Sequence, residues 1–227
     1  MTLDLAHIEL ANGVSAADVA CWIEDPRRSG EICSFLVARH DQRYFRPIHA
    51  LRQQKRDGYG FAIMSLCCLL IETINCYHLG MPTTSLAEWK RNGYGDINGT
   101  APPKYKIDFH PERHEHTFSV FFDRTEAQKF FGIVDGKQFG HSIRNGLLHQ
   151  AQTKGGWRIR RVGPIWDEDN KTLNRDLFAS ALQDYFCAYV ARLRECGWES
   201  ERFSMARRKL WWLIETSKPS AAKAATP

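Results

Sequence analysis

In the sequence of 227 residues we recognise no pattern typical of segments that direct a protein into or across a membrane. Its first residues, MTLDLAHIELANG, have neither a cationic start nor an apolar core, so we expect no signal peptide. The longest nearly apolar run, FAIMSLCCLLI, falls short of the roughly 20 residues that cross a bilayer. We therefore expect a cytoplasmic protein with no membrane-embedded part.

Cysteine pairs with the spacing of a zinc site are also missing. The seven cysteines are an odd number, and Cys67, Cys68 and Cys76 match no usual metal-ligand spacing. Their apolar setting, SLCCLLIETINC, is typical of buried thiols in a reducing compartment. The histidines of HPERHEH (110–116) are disfavoured as ligands because Pro111 opposes the helix that a His-x3-His pair needs. We expect neither a metal nor a cofactor.

Length and composition indicate one ordinary globular domain. The hydrophobic fraction is 43%, the charged fraction 25% and the net charge +5. A mildly basic chain is compatible with RNA or DNA, but this charge alone favours neither. We expect a single domain over residues 1–217 and a disordered tail at 218–227, where KPSAAKAATP offers nothing to a core.

Helical periodicity dominates the chain. Ser15 is placed to cap a first helix, a second begins near Gly30, and the most apolar helix runs from about Tyr59 to His78. Two long helices close the chain, LFASALQDYFCAYVARLREC and SERFSMARRKLWWLIET. The predicted fold class is therefore all-α, an antiparallel helical bundle.

Two segments interrupt this helical pattern. Residues 91–117 are rich in glycine, proline and polar groups without periodicity, which predicts one long inserted loop. WRIRRV and IWDED, joined by Gly163-Pro164, predict a small β-hairpin insertion at 157–167.

The segment HSIRNGLLHQ carries polar side chains on a helix that also has apolar residues to bury. We predict this helix over about residues 137–153. Positions four apart share a helix face, so His141, Asn145 and His149 form a ladder, and Arg144 lies on its flank. A histidine can transfer a proton at neutral pH, and an arginine can stabilise a phosphate that gains charge.

A second polar stripe lies on the most apolar helix. Ser65, Glu72 and Asn75 fall on one face, and a buried Glu72 needs a cation. Arg144 is the first candidate for that cation. From spacing alone the polar groups are either a hydrogen-bonded network that holds two helices together or a reaction centre.

Further basic residues follow the motif helix. In WRIRRV, Arg158 and Arg160 point to one side, and Lys154 precedes them. These groups are candidates for RNA-phosphate contacts, although exposed basic residues are usually only solvated.

The segment RNGLLHQ, and the order of LLHQAQTKGGWRI before ALQDYFCAYVARL, resemble the HEPN superfamily (higher eukaryotes and prokaryotes nucleotide-binding domains). The resemblance covers roughly residues 30–195. It implies a HEPN-like bundle and a metal-independent endoribonuclease of toxin–antitoxin or phage-defence systems, acting as a homodimer on RNA, with an antitoxin or defence protein as a further partner.

The resemblance also assigns roles to residues. His149 is the acid/base group that helps the ribose 2′-hydroxyl attack, Arg144 stabilises the phosphorane-like charge, and Asn145 fills the polar position after the arginine. Glu72, Asn75 and His141 support them. The alternative is an inactive HEPN-like binding or dimerisation module in which the Arg144–Glu72 network is structural.

Overall fold

The computed structural model describes residues 5–54, 58–85, 99, 101–106 and 116–218. Most of these residues are helical, so the prediction of a predominantly α fold is confirmed. The helices are α1 (Ala16–Trp22), α2 (Ser29–His40), α3 (Arg46–Gln53), α4 (Tyr59–Leu79), α5 (Thr117–Phe122), α6 (Thr125–Phe131), α7 (Gly136–Gln138, Phe139–Arg144 and Asn145–Gln150), α8 (Arg175–Cys196) and α9 (Glu201–Ser217). The Phe139–Arg144 part of α7 is π-helical, and a second π-helical segment, Asp41–Phe45, joins α2 to α3.

Helix α4 lies at the centre of the fold, as its composition predicts. It packs against α3, α5, α8 and α9, and it is bounded by two glycines in the left-handed region, Gly58 (φ +93°) and Gly80 (φ +63°). By length and composition alone α4 is apolar enough to cross a membrane, but 56% of its most apolar window is buried inside the fold. The apolar run FAIMSLCCLLI is shorter than this helix, because ETINCYHL continues the helix, which has a length of 21 residues.

The small sheets differ from the predicted hairpin. Strands β1 (Glu9–Ala11) and β2 (Val14–Ser15) form an N-terminal hairpin. The segment predicted to pair at 157–167 instead contributes β3 (Arg158–Arg160) and β4 (Trp166–Asp167) to opposite sides of β5 (Thr172–Asn174).

Strand β3 runs parallel to β5, and β4 runs antiparallel to it. The predicted β3–β4 hairpin is therefore wrong, because β5 occupies the place between them. Asn174 ends β5 and caps α8 by accepting the backbone N–H groups of Asp176 and Leu177. It also donates to the carbonyls of Arg161 and Gly163, which ties the turn between β3 and β4 to the start of α8.

Helix α7 ends earlier than predicted and lies very close to α5. Ala151, in the left-handed region at φ +54°, ends it, so residues up to Thr153 do not extend the helix. At its other end, a Cβ atom on Gly136 would lie 2.5 Å from the Ser119 backbone nitrogen. This position therefore needs glycine, since the two backbones touch.

The apolar side of α7 faces the core. Phe139 and Ile143 are fully buried, and Phe139 stacks on Phe178 of α8 with ring centroids 5.3 Å apart. No cysteine of the described residues forms a disulfide; Cys33, Cys67, Cys68 and Cys76 are buried, while Cys21, Cys187 and Cys196 are exposed.

Most of the predicted 91–117 loop lies outside the described residues. Within that range Tyr105 is buried and stacks on Trp211 of α9 at 5.4 Å between ring centroids. Thr117 already belongs to α5, so the loop ends one residue before its predicted bound. The tail beyond residue 218 lies outside the described residues as well.

Candidate functional site

Arg144 and Glu72 form the ion pair that the sequence predicts. The guanidinium Nε of Arg144 donates to Glu72 Oε1 at 2.8 Å, and its Nη1 donates to Asn145 Oδ1 at 3.0 Å. Their side chains keep 26% and 19% of their surface exposed, respectively. The pair is therefore held between α7 and α4 and can still be reached by solvent.

A cleft of about 470 Å³, called the Arg144 cleft below, opens beside this pair. Helix α4 contributes Glu72 to its wall, and α7 contributes Lys137, His141, Arg144 and Asn145. The facing wall is the start of α5, and one rim comes from the segment after α4. Those further lining residues are Thr84, Ser85, His116, Thr117, Phe118 and Ser119.

Glycines bring α5 and α7 together at the base of the Arg144 cleft. Gly136 touches the Ser119 backbone, and a Cβ atom on Gly140 would lie 3.4 Å from the Phe118 ring. Asn75, which we predicted beside the site, lies beneath it instead. It is fully buried and donates to the carbonyl of Thr117 at 2.6 Å, so it positions the start of α5 and has no surface for a substrate.

His149 does not line the Arg144 cleft. It is exposed in the last turn of α7, one turn beyond Asn145, so one chain does not bring Arg144 and His149 into the same cavity. The imidazoles that line the cleft belong to His141, which we predicted as a supporting residue, and to His116.

Two cleft residues were missed in the sequence. Lys137 lies one helical turn before His141, and extending the ladder backwards by four residues would have found it. His116 belongs to HPERHEH, which lies within the loop predicted over residues 91–117. Residues 110–115 of that segment lie outside the described residues, and elsewhere in the described chain no cluster of three His, Cys, Asp or Glu side chains could hold a metal.

The basic residues after α7 lie away from the Arg144 cleft. Arg158 and Arg160 are exposed on one side of β3, and Ile159 between them packs on the core, so their predicted orientation is confirmed. Arg158 Nη2 donates to the Asn170 carbonyl at 3.1 Å. Lys154 is half-buried, and its backbone N–H donates to the Ser142 carbonyl.

Gly146 has no room for a side chain, which reverses the effect that helix propensity predicts. Propensity alone says that Gly146→Ala stabilises a helix by about 0.5–1 kcal/mol. A Cβ atom here would lie 2.4 Å from the Gln152 carbonyl oxygen. We expect Gly146→Ala to lower the free energy of unfolding by about 1–3 kcal/mol, measured by urea denaturation.

The matched control for this variant is Gly30→Ala on α2, where nothing lies within 4 Å of the added Cβ atom. That change is expected to raise the free energy of unfolding slightly, by about 0.5–1 kcal/mol. A gain of stability in both variants would show that the chain around residue 152 moves aside.

The chain was compared with protein-family models, with curated proteins and with solved structures. No family model, no curated protein and no solved structure matches it.

Proposed function

We propose that the protein is a metal-independent endoribonuclease of HEPN type that cleaves RNA through attack by the ribose 2′-hydroxyl. The observation that carries the proposal is the Arg144 guanidinium, oriented by Glu72 and Asn145 at a solvent-reachable cleft. A fixed positive fork beside an open, polar cavity suits a phosphate whose charge grows in the transition state.

The hydrogen bonds of Arg144 leave part of its fork for the substrate. Nε is used by Glu72 and Nη1 by Asn145, while Nη2 has no hydrogen-bond partner within the described chain. This nitrogen can donate to a non-bridging phosphate oxygen. Lys137 and His141 add donors along the same wall of the cleft, which favours an anionic ligand over a neutral one.

His149 fits this chemistry through a second copy of the chain. Alone, it is exposed at the end of α7 and outside the cleft, next to the exposed Leu148. Leu69 of α4, one turn before Glu72, is also exposed. These exposed leucines, on the two helices that carry the Arg144–Glu72 pair, support the proposed homodimer, in which two motifs face one another and His149 acts as the acid/base group.

The remaining partners follow from the same proposal. Exposed Arg158 and Arg160, with Lys154, would contact phosphates of the bound RNA. The proposed setting is the bacterial cytoplasm, in a toxin–antitoxin or phage-defence system, with an antitoxin or defence protein that controls the activity. No cofactor takes part in the proposed reaction.

Incubation of the pure protein with mixed RNAs in EDTA tests the proposal. We expect cleavage to continue in EDTA and to leave 2′,3′-cyclic phosphate ends, because the adjacent 2′-hydroxyl is the nucleophile. RNA with 2′-O-methyl groups is the control, since it has no nucleophile and should remain intact. Loss of cleavage in EDTA, or cleavage of the methylated RNA, would contradict this mechanism.

A second candidate function is a binding or dimerisation module without catalysis. The observation that favours this alternative is that the hydrogen bonds of Arg144 join α7 to α4. Glu72 and Asn145 both accept hydrogen bonds from Arg144 within one chain, and His149 takes no part in these hydrogen bonds. In that case the pair holds α4 and α7 together, and no RNA is cleaved.

A further inference from the structure

A recess at the N-terminus of α4 is separate from the Arg144 cleft and shares no lining residue with it. It has a volume of about 270 Å³. Gly58 and Gly60 form one side, and Arg160, Arg161 and Arg175 project into it from the strand segment and from α8. We call it the arginine recess. Its shape and charge raise the question of what it holds.

The first contribution to the arginine recess is the end of a long helix. Helix α4 has 21 residues and begins after Gly58, a residue that offers no side-chain cap. The first backbone N–H groups of a helix lack intrahelical acceptors, and the helix dipole places partial positive charge there. Gly58, with φ +93° and nothing within 4 Å of the place a Cβ atom would take, also leaves the backbone open to a ligand.

The second, independent contribution is the buried guanidinium of Arg175. This residue is 7% exposed, and its Nε is buried without a hydrogen-bond partner. In the described part of the chain no group accepts a hydrogen bond from the Arg175 guanidinium. Asp176 Oδ1 lies 3.7 Å from Arg175 Nε, which is beyond hydrogen-bonding distance. A buried charge with unused donors costs free energy unless a ligand accepts from them.

Gly60 is what allows Arg175 to enter the arginine recess. Arg175 is the first residue of α8, and its side chain crosses the first turn of α4. A Cβ atom at position 60 would lie 2.8 Å from its Nη1 and 3.3 Å from its Cδ. The guanidinium is therefore packed against the N-terminal turn of α4, where its charge adds to that of the helix end.

The charges around the arginine recess do not balance within the described chain. Among the described residues, Asp176 supplies a carboxylate that contacts Arg161 and Arg175. Its Oδ2 accepts from Arg161 Nε at 3.1 Å, and its Oδ1 lies 3.5 Å from Arg52 Nε. Arg175 and Arg160 add two further positive charges. Among the described residues, the three arginines that line the recess outnumber the one carboxylate that pairs with Arg161 and Arg175, and an anion would neutralise the surplus of positive charge.

We propose that the arginine recess binds a phosphate group. Arginine forks and helix N-terminal amides are the donors that phosphate oxygens accept from most strongly. Phe61 at the rim keeps an exposed ring on which a base or ribose can pack. Both an RNA strand and a free nucleotide carry such a phosphate. The proposal does not rest on nuclease activity, since no residue of the Arg144 cleft contributes.

Isothermal titration calorimetry on the full-length protein tests the proposal. The probes are inorganic phosphate, adenosine 5′-monophosphate and a 2′-O-methyl hexanucleotide, with sodium chloride at matched ionic strength as the blank. We expect saturable binding of the phosphate-bearing probes, and a dissociation constant at least about tenfold larger in Arg175→Met. The probe that binds most tightly identifies the free nucleotide or the RNA strand as the source.

Stability separates a binding role from a structural one. Because Arg175 has no hydrogen-bond acceptor, Arg175→Met is expected to unfold at the same temperature as the wild type or at a higher one. Arg46→Met, at an exposed position on α3, is the matched control and should bind phosphate like the wild type. Gly60→Ala, which displaces the Arg175 guanidinium, should weaken binding as well.

The proposal is overturned if phosphate gives no more saturable heat than chloride. It is also overturned if Arg175→Met and Gly60→Ala bind the probes as tightly as the wild type does. Binding that persists in Arg144→Ala supports the arginine recess whether or not the protein cleaves RNA, so the two proposals can fail separately.

Discussion

Arg144→Ala and His149→Ala are expected to reduce RNA cleavage alike and to differ in their effect on stability. In the proposed reaction Arg144 stabilises the phosphate and His149 transfers a proton, so we expect a loss of at least about 100-fold in rate from either change. Arg144→Ala also leaves Glu72 without its cation at a mostly buried position. We expect it to lower the free energy of unfolding by about 1–3 kcal/mol.

His149→Ala should leave the free energy of unfolding within about 0.5 kcal/mol of the wild type, because the side chain is exposed. Cleavage assays in EDTA and urea denaturation of the same preparations measure both effects. The double variant Arg144→Met with Glu72→Leu is the matched control. It removes both charges together, so it should recover stability but not cleavage.

The outcomes of this comparison assign the site. If the wild type cleaves RNA and both variants cleave it equally well, the activity belongs to a contaminant or to another surface. If only His149→Ala remains active, then an imidazole within the cleft, His141 or His116, transfers the proton. If Arg144→Ala is destabilised and the wild type cleaves nothing, the structural network is the better interpretation.

The sequence predicted those features that follow from local pattern and from charge. Helix α4 was predicted because its apolar run is long, and Arg144 was predicted as its partner because a carboxylate on so apolar a helix needs a cation. The Arg144–Glu72 hydrogen bond at 2.8 Å follows from that second argument. Predicting it required no knowledge of how the helices are arranged.

What the sequence did not predict depends on contacts between distant segments. Strand β5 is three residues long, and its position between β3 and β4 is set by tertiary packing. The close approach of Gly136 to Ser119 cannot be inferred from composition, although it shapes the Arg144 cleft. The position of His149 outside that cleft depends on where α5 crosses α7, which is likewise a tertiary contact.

Mild acid is expected to destabilise the protein through a buried histidine, His40. It is 0% exposed, and its ring nitrogen Nδ1 lies 2.7 Å from the Leu36 carbonyl, which can only accept, so Nδ1 carries the hydrogen. Its Nε2 has no partner within the described chain. The rings of Tyr77 and Phe186 lie beside it, with centroids 5.5 Å and 4.5 Å away. Burial lowers the pKa of His40 from 6.5 to about 3.

The lowered pKa fixes the direction of the effect. Below about pH 6.5 the unfolded chain binds a proton at His40 that the folded protein does not bind until about pH 3. The stability is therefore complete above pH 6.5 and is lost as the pH falls from 6.5 towards 3, by about 1.4 kcal/mol per pH unit. Burial, and then the charge of Arg124, also lower the pKa of His78 to about 2, so a second histidine acts in the same direction.

Urea denaturation between pH 7 and pH 4.5 measures this loss, which for His40 alone reaches about 3 kcal/mol at the acid end. His40→Gln removes the titrating group and should make the slope shallower by about 1.4 kcal/mol per pH unit. Phe45→Leu is the control, since Phe45 packs on the same Phe186 ring with centroids 5.6 Å apart. It should lower stability at every pH and keep the slope, because it changes packing and removes no proton-binding group. If His40→Gln left the slope of the free energy of unfolding against pH unchanged, the imidazole of His40 would be protonated in the folded protein as readily as in the unfolded chain. Its Nε2 would then donate to an acceptor or a water molecule among the surrounding aromatic rings.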